Sequence, residues 1–334
     1  MKKILVYDSK IYTEESLESL PHEGIMFTYL KDKLNEVTVH LAKDYDSVLT
    51  FVNDTLNKSV LDELKKQNKK VIFIRCAGYN NIDIKQAYKN KIKIYRVPAY
   101  SPYAVAEHAF SLLSTINRRI HKAYNRTREF NFSLEGFTGM DLYNKTIGII
   151  GTGKIGRVMI NIAKGYSMNV LAYDPYPNTN TDGYTYVSLE KLLTESDVIS
   201  LHCPLNKDTK YILNKHAFSL MKKGVIIINT SRGELINSKD LLDAIKDRKV
   251  SAAALDVYEE EEDIFYEDRS NHILDDEVLR DLISMPNVIV TSHQAFLTKE
   301  ALSNIAMTSI SNISNYFKGT PNKENEVCYK CKNK

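Results

Sequence analysis

The segment Thr146-Ile147-Gly148-Ile149-Ile150-Gly151-Thr152-Gly153-Lys154-Ile155-Gly156-Arg157 constrains this chain more than any other. Residues 147–150 are an apolar, largely β-branched run, as expected of a strand buried on both faces. The run enters a loop in which Gly151, Gly153 and Gly156 keep the G-x-G-x-x-G spacing, and a helix is expected to follow at once. Gly151 permits a tight turn, Gly153 lets the backbone approach a pyrophosphate, and Gly156 lets the helix pack closely on its strand. The amides of Lys154 and Ile155 at that helix start fall where phosphates bind.

Three glycines at this spacing also arise in ordinary turns, so the following strand carries the argument. It ends at Tyr173-Asp174, a carboxylate about 20 residues beyond the glycines, where a dinucleotide fingerprint places one. Asp174 is expected to hold the adenosine ribose hydroxyls and to repel a 2′-phosphate, which favours NAD over NADP. The competing account makes Asp174 a strand cap before the turn at Pro175.

A chain of 334 residues exceeds one ordinary core, and two domains are expected from about 150 residues per domain. Lys and Arg number 45 against 42 Asp and Glu, and no basic stripe interleaved with aromatics stands out, which argues against nucleic acid as a partner. The apolar run at the amino terminus stops at Asp8, too early for a signal-peptide core, and no apolar stretch approaches the roughly 18 residues of a membrane span. A cytoplasmic protein without membrane contact is expected. Cys76 and Cys203 fall in predicted buried elements. Cys328 and Cys331 form a C-x-x-C without a second ligand pair, so no metal site is expected and that tail is assigned no role.

In the first hundred residues, strands are expected at 3–7, 37–41, 48–52, 71–74 and 92–95, with helices at 58–67 and 83–89. This alternation predicts a parallel sheet with covered faces. Ala77 and Gly78 follow the fourth of these strands. Small residues there leave amides accessible to a substrate carboxylate, or simply make a turn; the segment alone leaves the two even. Pro102 opens an expected long helix over 103–128 that crosses between domains. Its basic second half, with Arg118, Arg119, Lys122, Arg126 and Arg128, is a solvated or subunit-contacting face. Beyond a loop at 132–144, the glycine-loop strand begins a second unit with further strands at 198–202, 225–229, 252–257 and 288–291. Helices at 189–194, 215–221 and 238–247 alternate with them, as in a doubly wound dinucleotide-binding domain. From Leu297 the chain returns to helix and is expected to pack on the first unit.

Three of these later strands end in chemistry. Residues 225–229 run into Thr230-Ser231-Arg232, residues 252–255 into Asp256 and the acidic run 259–263, and residues 288–291 into His293. A planar guanidinium pairs bidentately with a carboxylate, and an imidazole titrates near neutrality. A cation, a carboxylate cluster and a histidine at one sheet edge therefore suit reduction of a keto acid, with His293 as proton donor and a carboxylate holding it. Taken singly, Arg232 is a loop bridge, the acids a solvated loop and His293 a strand cap. His202-Cys203-Pro204, with Thr209 shortly after, is expected to line the cofactor pocket, and Cys203 to be packed rather than reactive.

Together with Gly151 to Gly156, the runs Leu201-His202-Cys203-Pro204-Leu205, Asn229-Thr230-Ser231-Arg232-Gly233, Asp256-Val257-Tyr258-Glu259 and His293-Gln294-Ala295-Phe296 closely resemble the D-2-hydroxyacid dehydrogenase family. Tyr100-Ser101-Pro102-Tyr103-Ala104-Val105-Ala106-Glu107-His108-Ala109 and Asn131-Phe132-Ser133-Leu134-Glu135-Gly136 are similar to its bacterial fermentative D-lactate branch, and the match runs to about Val327. The resemblance implies a Rossmann NAD-binding domain, residues 101–298, inserted into a flavodoxin-like substrate domain, residues 1–100 and 299–334. Two crossings, near Tyr100 and Thr298, would act as a hinge.

The resemblance also implies roles. His293 is the acid/base, Arg232 the clamp on the substrate carboxylate, and Glu261 the partner of His293, which spacing alone does not separate from Glu260. Ala77 and Gly78 add backbone donors, Tyr100 and Phe296 line the substrate pocket, and Phe51 closes the side of the substrate's methyl group. Asp256 positions Arg232 and the nicotinamide. Val105, Thr230, Ser231 and Ala295 join the glycine loop, Tyr173, Asp174 and the 202–209 segment in holding NAD. The implied reaction is reduction of pyruvate to D-lactate in at least a dimer. Bulkier 2-keto acids are the nearest alternative. A non-catalytic NAD-sensing scaffold is the more distant one, disfavoured because Arg232, Glu261 and His293 are all in place.

Overall fold

Short runs of Ile, Val and Leu become strands here because helices cover both faces of each sheet. The computed structural model describes residues 1–178, 181, 183–262 and 264–329, and the chain divides into two compact units, Met1–Ser101 with the segment from Leu297, and Pro102–Phe296.

In the first unit β1 (Lys2–Val6), β2 (Ile25–Tyr29), β3 (Ser47–Thr50), β4 (Val71–Ile74) and β5 (Lys93–Arg96) form a parallel sheet in the order β2-β1-β3-β4-β5. This is the flavodoxin-like order. Every residue of β3 and β4 is buried, which explains their unbroken apolar sequences. Of the intervening helices α1 (Ile11–Glu18), α2 (Lys58–Lys66) and α3 (Ile84–Lys89), the last two carry side-chain caps: Asn57 caps α2 by accepting from the Val60 amide, and Asp83 caps α3 by accepting from the Gln86 amide.

The expected strand at 37–41 is not one. Asn35 Oδ1 accepts from the amides of Val37 and Thr38, and a 3₁₀ turn follows at Val39–Ala42. Such side-chain bonds compete with a sheet ladder, and the alternation of Val37, Val39 and Leu41 mimicked one. The strand of that region is β2, at the sheet's edge, where only Ile25 is buried.

The second unit opens with α4 (Pro102–Arg118) and α5 (Ile120–Arg128), where a single helix over 103–128 was expected. The break falls at Arg119, in left-handed backbone with φ 52°. α4 buries a face from Ala104 to Ile116, whereas α5 buries no residue, so no apolar face carries the helix past the break. The strands β6 (Thr146–Ile150), β7 (Asn169–Tyr173), β8 (Thr185–Tyr186), β9 (Val198–Leu201), β10 (Val225–Asn229), β11 (Val250–Leu255) and β12 (Val288–Val290) make one parallel sheet, ordered β12-β11-β10-β9-β6-β7-β8.

Alternate residues of β10 divide between two cores. Ile226 and Ile228 join Leu113 and Met159 on one side; Val225 and Ile227 join Leu193 and Leu241 on the other. Helices α6 (Lys154–Gly165), α7 (Leu189–Glu195), α8 (Lys215–Leu220), α9 (Ser238–Lys246) and α10 (Glu277–Ser284) supply the cover, making a doubly wound Rossmann sheet whose order reverses between β6 and β9.

α11 (Lys299–Phe317), capped by Thr298, returns to the first unit, where Ala306, Ile310 and Ile313 pack with Ile4, Val6 and Phe73. Beyond α11 the chain bonds β5 through the Val327 amide, which donates to the Ile94 carbonyl. Cys331 lies outside the described residues, and the free cysteines among those described are the buried Cys76 and Cys203. No helix among the described residues is long and apolar enough to cross a membrane.

Candidate active site

The glycine loop sits at the reversal of the second sheet, and each glycine has a distinct physical reason. Gly151 has φ +95°, and a Cβ there would come within 2.5 Å of the Cys203 amide nitrogen. At Gly156 a Cβ would lie 2.0 Å from the Gly151 carbonyl oxygen, so α6 can approach the loop only without one. Gly153 differs, because a Cβ would meet nothing within 4 Å. Its lack of a side chain serves no contact within the chain and leaves room for a ligand at the start of α6.

Asp174 directly follows β7 and is tied to the loop: its Oδ2 accepts from the Thr152 amide at 2.8 Å and from the Thr152 hydroxyl at 3.0 Å. The tyrosine hydroxyl of Tyr186 lies 2.8 Å from that same threonine oxygen. Beneath the loop His202 Nε2 pairs with Ser200 Oγ at 2.9 Å, while its Nδ1 is buried without a partner. Burial pushes this imidazole down to about 4, so it is neutral near pH 7 and no proton donor. The Cys203 thiol is pushed up to about 12, first by burial, and is unreactive as a thiolate. Pro204 carbonyl accepts from the Thr209 hydroxyl, which shapes the loop after β9. Ser231 Oγ donates to the Cys203 carbonyl, and Thr230 Oγ1 is buried with no partner. An open cradle at Gly153, amides at a helix start and orphaned polar atoms at His202 and Thr230 fit a dinucleotide. Val105 is buried on α4 and Ala295 after β12.

Arg232, Glu261 and His293 stand beyond the carboxyl ends of β10, β11 and β12 respectively. His293 Nδ1 lies 2.6 Å from Glu261 Oε1, and both side chains are mostly buried. Glu261 Oε2 accepts from the Tyr258 amide at 2.9 Å, so the carboxylate is held from behind. The pair leaves Nε2 as the ring nitrogen available to a substrate. Which glutamate does this was open from spacing. Glu259 instead accepts from the Tyr211 hydroxyl and the Ser238 amide, Glu260 is exposed, and Asp263 lies outside the described residues.

Arg232 follows β10 in extended backbone, its carbonyl held by Asn229 Nδ2 and its Nη1 donating to the Ser231 carbonyl. The turn runs close under the β11 loop: a Cβ on Gly233 would lie 2.0 Å from the Tyr258 carbonyl carbon.

Of the two roles expected of Asp256, the one toward Arg232 is not served by a direct bond: neither carboxylate oxygen bonds Arg232. Oδ1 accepts from Thr291 Oγ1 and the Gln294 amide, Oδ2 from the Ala295 amide, and His108 Nε2 is 3.3 Å away. Asp256 therefore anchors the turn carrying His293, whose own amide donates to the Asp256 carbonyl at 2.7 Å. Two residues in this arrangement went unassigned in the sequence: His108, which lay within a quoted run, and Tyr266, whose hydroxyl donates to the His293 carbonyl. No spacing points to Tyr266, because it sits in a loop.

In the first unit, the amides of Ala77 and Gly78 have no acceptor among the described residues, while the Ala77 carbonyl accepts from Arg96. Phe51 is buried after β3, and the Tyr100 carbonyl accepts from Asn304. Phe296 closes the second unit and is buried.

Comparison with known proteins agrees with this geometry. The model of the D-isomer specific 2-hydroxyacid dehydrogenase NAD binding domain matches residues 110–295. The D-lactate dehydrogenase of Escherichia coli K12 is 49% identical over 320 residues, covering 95% of this chain and 97% of that protein. The apo-structure of D-lactate dehydrogenase from Escherichia coli superposes with a TM-score of 0.89 at 46% identity, covering 98% of this chain and 100% of that one. The pyruvate reductase of Chlamydomonas reinhardtii reaches 0.91 at 39% identity over 96% and 98% of the two chains. With its NAD-binding sheet, its histidine–glutamate pair and these likenesses together, the chain belongs to the D-isomer specific 2-hydroxyacid dehydrogenase family.

Proposed function

We propose that this enzyme is an NAD-dependent D-lactate dehydrogenase that reduces pyruvate to D-lactate, with His293 as general acid. The observation that carries the chemistry is the His293–Glu261 pair at 2.6 Å, set on the loops after β12 and β11, with Arg232 on the turn after the neighbouring β10. Bound NADH supplies the hydride. Glu261 fixes Nδ1 and stabilises the imidazolium, so Nε2 holds the proton that passes to the carbonyl oxygen as the ketone becomes an alcohol. Arg232 takes the substrate carboxylate through its planar fork. Ala77, Gly78, Phe51, Tyr100 and Phe296 are assigned to the substrate, and Gly151 to Gly156, Asp174, Thr230 and Ser231 to the cofactor. The large aromatics Phe51, Tyr100 and Phe296 favour a small keto acid.

We assign the protein to the cytoplasm as at least a dimer. The test of the reaction is NADH oxidation followed at the nicotinamide absorbance, with pyruvate, phenylpyruvate and 2-ketoisocaproate compared. Fastest turnover of pyruvate, with D-lactate as product, is the expected result. Preference for the larger acids moves the assignment to a branched-chain or aromatic substrate, and NADH binding without turnover replaces it with a sensing scaffold.

A further inference from the structure

Beside β3 and β4 in the first unit lies a buried charged cluster that the proposed chemistry does not use. Arg75, 4% exposed, directly follows β4, and its guanidinium carbon stands 4.1 Å from the centroid of the Phe51 ring. Its Nη2 donates to the carbonyls of Asp8 at 2.6 Å and Tyr7 at 3.2 Å, while Nε is buried with no hydrogen-bond partner. The backbone of Phe51 is gripped from the other side: Asp54 Oδ2 accepts its amide at 2.5 Å, and Asn81 Nδ2 donates to its carbonyl at 3.1 Å. Asp54 is itself buried, with Oδ1 taken by the Leu34 amide.

A guanidinium lying over an aromatic face attracts it electrostatically, more strongly when desolvated, and its planarity fixes the ring's orientation as an ammonium does not. We propose that Arg75 is a specificity-determining positioning residue, which holds the Phe51 ring as a rigid wall against the substrate's side chain and so selects a methyl group over longer chains. This rests on the assignment of Phe51 to that side of the substrate. Asp54 and Asn81 fix where the ring begins, and Arg75 fixes which way it faces. Arg75 itself need not touch the substrate.

The test compares kcat/KM for pyruvate and 2-ketoisocaproate in wild type, Arg75→Lys, Arg75→Met, Phe51→Leu and the double variants. Lys keeps the positive charge beside Asp54, and Met keeps length without charge, so loss of folding in one leaves the other to be read. The expected result is a pyruvate preference reduced by about fivefold or more in each Arg75 variant, an unchanged NADH dissociation constant, and no further change when the substitution is made in Phe51→Leu. Equal loss with both keto acids, or an Arg75 effect that persists in Phe51→Leu, overturns the inference and makes Arg75 merely structural. A wild type inert toward every 2-keto acid overturns the assigned reaction and this inference with it, whereas an active enzyme with unaltered preference in the variants overturns the inference alone.

Discussion

At His293 the backbone is left-handed, with φ 52°, a conformation that costs a non-glycine residue energy and persists only where the surroundings impose it. Here its amide donates to the Asp256 and Thr291 carbonyls and its carbonyl accepts from Tyr266, so the ring is presented to Glu261 by a turn with little freedom. Replacing His293 by Gln is expected to lower turnover by about 10²- to 10⁴-fold with NADH affinity retained, as read by steady-state kinetics beside a fluorescence titration of NADH. Equal loss of both would assign His293 a structural role.

His202 makes the opposite prediction, on stability. Its folded value is depressed from 6.5 to about 4, so the unfolded chain binds the extra proton between those values and stability falls as pH drops through that window. The effect amounts to about 3 kcal/mol at most, and urea midpoints measured from pH 7 to pH 4 are expected to fall less steeply in His202→Gln than in wild type. Identical slopes would remove His202 from the acid response. The identities of Arg232, Glu261 and His293 were readable from strand ends and family motifs; the actual partners of Asp256 were not, because they depend on a turn folding back across the sheet edge.

At the scale of the element, the glycine loop separates two kinds of constraint. Gly156→Ala places a methyl 2.0 Å from the Gly151 carbonyl and is expected to cost about 1–3 kcal/mol in the absence of cofactor, together with weaker NADH binding. Gly153→Ala meets no atom of the chain, so its thermal midpoint without cofactor is expected to stay near that of wild type while NADH binding weakens. Calorimetry of the free proteins and titration with NADH distinguish the two; a Gly153→Ala protein that binds NADH normally would show that no phosphate approaches there. The loop, its strand and its helix were evident from spacing. The break between α4 and α5 was not, since Arg119 is an ordinary helix former and only the end of the buried face stops the helix.

At the scale of the whole molecule, apolar side chains remain uncovered along α5 and the segment after it. Tyr124, Phe130, Phe132 and Leu134 are all exposed, with Phe132 at 70% and Leu134 at 83%. Uncovered apolar side chains of this kind suit contact with a second copy. Phe132→Asp combined with Leu134→Asp is expected to lower the mass found by sedimentation equilibrium to that of one chain, and an unchanged oligomer would place the subunit contact elsewhere.

The sequence by itself determined that a dinucleotide-binding sheet forms, that a second parallel sheet precedes it, and that a cation, an acid and a histidine follow successive strands, because these depend on local periodicity and on residue types beside glycines. Only the tertiary structure decided that residues 25–29 rather than 37–41 form a strand, that Asp256 braces the His293 turn, and that Arg75 lies over Phe51. Each of those outcomes is a contact between segments distant along the chain or a contest between a side chain and a backbone ladder. Such contacts are chosen by packing, for which a single sequence carries no local signal.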